Sequence, residues 1–164
     1  MQNVTIYLDL EPHLEDFLIH EFGVDEQGRI KLSRRSDFGR MIYANIESCD
    51  YKPTKIGMNN PVALTIPRSE DNHYILEYRY LHFTNFGARK INDYLQAEFR
   101  QRIRLIFERG YQMKFSQKEI IEAILQDYNI RKCAITYEAI KKSDYRFQKK
   151  LRRNIAITLH NINI

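Results

Sequence analysis

The sequence predicts an α+β fold: a small β-α-β-α-β-β N-terminal unit followed by a helical C-terminal part. Three observations lead there. The first ten residues alternate apolar and polar side chains, the period of a half-buried strand. Residues 85–108 carry apolar side chains at helical spacing. Charge divides at about the same place: residues 1–84 hold 9 Lys/Arg against 13 Asp/Glu, whereas residues 85–164 hold 17 against 8. An acidic α+β unit, 1–84, and a basic helical unit, 85–164, follow from that division. The 164 residues are 43% hydrophobic, enough for one core or two small ones.

In order, Val4, Ile6, Leu8 and Leu10 form the inner face of a first strand. Pro12 opens a helix that runs to about Phe22, with Leu14, Phe17, Leu18 and Phe22 on one face and Gly23 just past its end. Gly28 turns the chain into a short strand, RIKLS. Ser36 is placed to cap a second helix whose apolar stripe is Phe38, Met41 and Ile42. Residues 49–61 read as a loop. VALTIP (62–67) and HYILEYRYL (73–81) read as two strands joined by the charged turn RSEDN.

The helical part begins with Ile91, Tyr94, Leu95, Phe99, Ile103 and Ile106 on a helix over 85–108. Ser116 and Glu119 have the spacing of a capping box ahead of Ile120, Ile121, Ile124 and Leu125, and Asn129 is a C-cap. After IRKCAI, Thr136 is the expected N-cap of a final helix. Tyr137, Ile140, Phe147 and Leu151 share one face of it, interrupted by Asp144. The rest of that surface carries Lys141, Lys142, Arg146, Lys149, Lys150, Arg152 and Arg153. A helix that packs by its apolar stripe displays its other side, and here that side is cationic.

Side chains of this kind neutralise phosphates and release counterions, which gives affinity without base contacts. Nucleic acid, with duplex DNA favoured, is therefore the expected partner, and the competing reading is a solvated helix that serves solubility. Thr136, Ser143 and Gln148 are the short polar candidates for base contacts. Residues 116–153 resemble a helix-turn-helix with 137–153 in the recognition position, although the turn exceeds the usual three or four residues. The long helix suggests a homodimer with Phe99 and Ile103 near the contact, and self-assembly through it is the alternative function.

Three further groups are candidates. Arg34 and Arg35 stand beside a helix N-terminus, a secondary phosphate contact unless Asp37 satisfies that terminus itself. Tyr74, Leu76, Tyr78 and Tyr80 alternate along one strand face, where packing against Val62, Leu64 and Ile66 is favoured over stacking on bases. His13, Asp16 and His20 share a helix edge, but no fourth metal ligand stands out, so no metal is expected.

The sequence has no Gly-rich phosphate loop, nucleophile elbow or paired-carboxylate frame, so a non-enzymatic protein without a cofactor is expected. Two distant cysteines, no signal peptide and no long apolar run suggest a cytoplasmic protein that does not enter the membrane. The overall pattern is a short β-rich part, then helices ending in AIKK…YRFQKK (139–150). It resembles small proteins carried by mobile elements and prophages of Bacteroidota, a resemblance that implies no activity and transfers no residue.

Overall fold

Ile6, Leu8 and Leu10 all turn to one side of the first strand and are almost fully buried, as the alternation requires. The computed structural model describes residues 4–55, 57–67 and 77–162, with side chains through residue 158. In order they form β1 (Val4–Asp9), α1 (Pro12–Phe22), β2 (Ile30–Lys31), α2 (Asp37–Tyr43), β3 (Ile46–Cys49), β4 (Pro61–Ile66) and β5 (Tyr80–Phe83). The helices α3 (Asn85–Gln112), α4 (Gln117–Asp127) and α5 (Ala134–Ile162) follow. The fold is α+β. No helix among the described residues is long and apolar enough to cross a membrane.

The chain forms two compact units, Met1–Ala97 and Glu98–Ile164. The division falls inside α3 rather than at residue 85, because the first turns of α3 complete the core of the first unit. Ile91 and Leu95 are buried there. Tyr94 meets the Phe38 ring edge-on at 5.6 Å, and the Asn92 amide donates to the Asp9 carbonyl at 3.0 Å. The change in charge and the change in packing thus come about twelve residues apart.

In the first unit β4 is the middle strand of three. β1 pairs with it antiparallel, so that Ile6 faces Leu64 and Leu8 faces Val62. β2 pairs with its other edge in parallel, Ile30 opposite Leu64. Leu14, Phe17 and Leu18 of α1, with Phe38 and Ile42 of α2, are buried in the same unit. Gly23 ends α1 at φ 68° and ψ 178°, a positive-φ extended conformation that glycine adopts without a Cβ penalty. Ser36 caps α2 by accepting from Gly39 N–H at 3.0 Å.

Among the described residues, 62–67 and 77–81 do not form the expected hairpin. β1 runs along one edge of β4, and β2 pairs with Leu64 and Thr65 on the other. β5 starts only at Tyr80 and pairs antiparallel with β3, Ile46 opposite Phe83 and Cys49 opposite Tyr80. β3 itself, four residues long, is an addition to the expected order. Residues 68–76, including Tyr74 and Leu76, lie outside the described residues. Tyr78 and Tyr80 are 65% and 47% exposed, so they do not pack in the manner expected.

In the second unit, Phe99, Ile103 and Phe107 follow one another at intervals of four residues and are buried. The homodimer contact expected at Phe99 and Ile103 is therefore not available, since both side chains are spent within the chain. The Phe99 ring meets Tyr128 edge-on at 6.4 Å. Where α3 passes α4, a Cβ on Gly110 would stand 2.6 Å from the Ile120 side chain, which would have to shift to admit it. α3 and α4 both end in Schellman turns, with Lys114 (φ 65°) and Asn129 (φ 50°) in the left-handed position. Phe115 N–H reaches Gly110 O at 3.0 Å, and Ile130 N–H reaches Leu125 O at 2.8 Å.

The capping box at the start of α4 is present in full. Ser116 Oγ accepts from Glu119 N–H, and the Glu119 carboxylate accepts from Ser116 N–H at 2.8 Å. Ser116→Ala should lower stability by about 1 kcal/mol at neutral pH, the ordinary worth of such a cap, read from a denaturation midpoint. Hydrogen bonds from Ser116 also hold the Glu119 carboxyl below the usual carboxylate range. E119Q should differ from the parent by its full amount above the usual carboxylate range, and the difference should fade as pH falls through the depressed value. A pH-independent difference would mean that the charge plays no part in the cap.

Candidate nucleic-acid interface

On an ideal helix of 3.6 residues per turn, Ile140, Asp144, Phe147 and Leu151 fall within about 60° of one another. The seven cations at 141, 142, 146, 149, 150, 152 and 153 occupy the opposite arc, about 180° wide. α5 is rotated accordingly. Ile140 and Asp144 are 1% and 4% exposed and Phe147 is half-buried, but Leu151, expected on the same stripe, is 41% exposed, and all seven cations are exposed.

Asp144, an interruption of the apolar stripe by sequence, is what the second unit grips. Its Oδ2 accepts from the Tyr111 hydroxyl at 2.7 Å and from the Gln117 amide at 2.6 Å. α3, α4 and α5 thereby share one carboxylate oxygen. Desolvation, and then the hydrogen bond to Asp144, raise the Tyr111 phenol above its usual value, so it remains a donor at all ordinary pH. The other oxygen of Asp144 is buried without a hydrogen-bond partner among the described residues. Phe147 is half-buried under the Arg104 guanidinium, 4.0 Å from its centroid.

α5 begins earlier and ends later than the sequence suggests. Cys133, not Thr136, takes the N-cap position: its Sγ lies 3.4 Å from Thr136 N and 3.0 Å from the Thr136 hydroxyl. Thr136 is inside the helix and 1% exposed, so it is not a base reader. Ser143 and Gln148 keep partial exposure at the edges of the cationic arc. No Gly or Pro interrupts residues 134–162, and the helix continues past Arg153, with every residue from 149 to 158 exposed. The connection from α4 is residues 128–133, longer than a helix-turn-helix turn.

Of the seven cations, Lys141 reaches Glu138 Oε1 at 3.6 Å, a weak pair one turn away. Among the described residues the other six take part in no ion pair. Tyr145, 64% exposed, stands within the same arc and is not among the residues that the sequence singles out. Its helical angle, between Lys141 and Lys149, is the signal that could have found it.

The other candidates differ. Arg34 lies over the Tyr43 ring at 4.4 Å, and Arg35 is exposed beside it. Ser36 caps the helix start on Gly39 N–H, and Asp37, in the first turn, pairs with Arg40. His13 and Asp16 are buried, with the two ring nitrogens of His13 near Gln96 Oε1 (3.2 Å) and Glu11 Oε2 (3.4 Å), while His20 is exposed. Among the described residues no three His, Cys, Asp or Glu side chains converge as metal ligands.

Comparison with family models, with curated proteins and with solved structures returned no match.

Two outcomes are expected from this geometry. Asp144→Ala should cost about 2 kcal/mol in urea, because two donors are left without their shared acceptor. A wild-type midpoint would mean that the apolar stripe alone sets the rotation of α5. The Thr136 hydroxyl and N–H favour the Cys133 thiolate and lower its pKa. Iodoacetamide should label exposed Cys133 with a pH midpoint below that of an ordinary thiol, whereas buried Cys49 should react only on unfolding. An ordinary midpoint for Cys133 would remove the thiol cap.

Proposed function

We propose that the chain is a non-enzymatic DNA-binding protein, a regulator or accessory factor of a mobile element, that meets duplex phosphates through α5. One observation carries this reading: seven exposed cations on a single arc of a helix whose opposite side is buried at Ile140 and Asp144 and half-buried at Phe147. Six of them have no acidic partner among the described residues, so binding a phosphate breaks no existing ion pair. Release of counterions from the DNA then drives association whatever the sequence. Arg146, Arg152 and Arg153 offer bidentate geometry to phosphate oxygens, and the four lysines act as point charges. Tyr145 lies among them as an amphipathic contact.

The reading does not require two copies of the chain. It also leaves the first unit outside the contact, in keeping with the acidic balance of residues 1–84. The competing reading, a solvated helix, predicts that removing these charges changes solubility alone.

The test replaces Lys141, Lys149 and Lys150 together with Gln, which leaves Ile140, Asp144 and Phe147 in place. Duplex binding should weaken at every sequence tried. The slope of log K against log salt should shrink by about 0.9 for each phosphate that is no longer neutralised. Parental affinity and slope in this variant would show that α5 is not the contact surface.

A further inference from the structure

A second surface, in the first unit, has a different composition. β1, β5, the segment after β3 and the start of α3 enclose an open cleft of about 810 Å³, within the usual range for a ligand site. Four tyrosines line it, Tyr7, Tyr51, Tyr78 and Tyr80, the last three at 66%, 65% and 47% exposure. Three rings this exposed on one cleft present aromatic faces to whatever enters it. Tyr80 and His82 project from the same side of β5, and Tyr51 lies 6.3 Å from His82, centroid to centroid.

The charges around the cleft run against the balance of their surroundings. Residues 1–84 are acidic overall, yet Lys52, Arg79 and Arg89 are exposed along the cleft. Lys55 adds a fourth cation, 3.7 Å over the ring of Tyr7 on the cleft wall. The acids nearby are largely committed. Asp9 accepts from the N–H groups of Asn60 (2.7 Å) and Asn59 (3.1 Å), and Asp50 pairs with Arg79 at 3.2 Å. Glu77 alone is an exposed carboxylate on the lining.

We propose that this cleft binds single-stranded nucleic acid, with Tyr51, Tyr78 and Tyr80 stacking on unpaired bases and Lys52, Arg79 and Arg89 contacting the backbone. The choice of a single strand follows from the rings. An aromatic face stacks on a base only when that base is released from a duplex, and every base has such a face. The cations supply the sequence-independent part of the affinity. The site lies in a different unit from the cationic helix and uses stacking where α5 uses charge, so it stands or falls separately.

The test is fluorescence anisotropy with a short labelled oligothymidylate and, in parallel, a duplex, using the full chain at low salt. The chain has 11 tyrosines and no tryptophan, so quenching of tyrosine emission reports stacking directly. Y51A/Y78A should bind the single strand at least about tenfold more weakly with duplex binding unchanged, and Y51F/Y78F should restore the parental value. Circular dichroism should show the parental fold, since both rings are exposed. The triple Gln variant of α5 should keep its single-strand affinity within about threefold, because the cleft's own charges remain. The cleft assignment is overturned if the parent does not bind or quench, if Y51A/Y78A binds as the parent does, or if the α5 variant alone abolishes single-strand binding. None of those results touches duplex binding by α5.

Discussion

The second unit depends on how one carboxylate is held. Asp144 sits on the buried side of α5, where an aliphatic residue would ordinarily stand, and Tyr111 and Gln117 converge on its Oδ2. An apolar stripe of Ile140 and Phe147 tolerates some rotation about the helix axis, because dispersion contacts have no direction. Two hydrogen bonds from two other helices do not. They fix the angle at which α5 presents its outer surface, and every cation on that surface inherits its position from that angle. The cost is a buried oxygen without a partner among the described residues, the kind of compromise that buried polar groups carry when they specify a geometry.

The cationic arc is not explained by the stability of the helix that bears it. Lys142 and Arg146, Arg146 and Lys150, and Lys149 and Arg153 are like charges four residues apart, each pair unfavourable by about 0.2–0.5 kcal/mol. Glu138 offsets only Lys141. A helix selected for stability alone would alternate signs along such a face. The array becomes favourable when a polyanion supplies the missing charge, and then the repulsion that destabilises the free helix adds to the affinity. The first unit uses another balance, with an acidic surface overall and a cleft where tyrosines and cations meet.

Much of this fold is legible in the sequence wherever the signal is local. Pro12 and Gly23 mark the two ends of α1, Ser36 caps α2, and Ser116 with Glu119 opens α4, because each acts on backbone groups within a few residues. The cationic arc is legible for the same reason, since helical spacing alone decides which side chains share a face. Pairing between distant segments is not. Nothing within 62–81 records that β1 and β2 occupy both edges of β4, so a local hairpin looks sufficient. β3, with four residues, is too short for alternation to stand out. Asp144 reads as a flaw in a stripe because its two donors lie 33 and 27 residues away. Cys133 does not stand out as a cap because a thiol is a weak acceptor.

The most direct measurement is the salt dependence of duplex binding by the parent chain. If four to six of the seven cations of α5 meet phosphates, log K should fall linearly with log salt at a slope between about −3.6 and −5.4. Similar slopes should appear for duplexes of unrelated sequence. Absence of duplex binding at low salt, or binding with a slope near zero, would contradict the account.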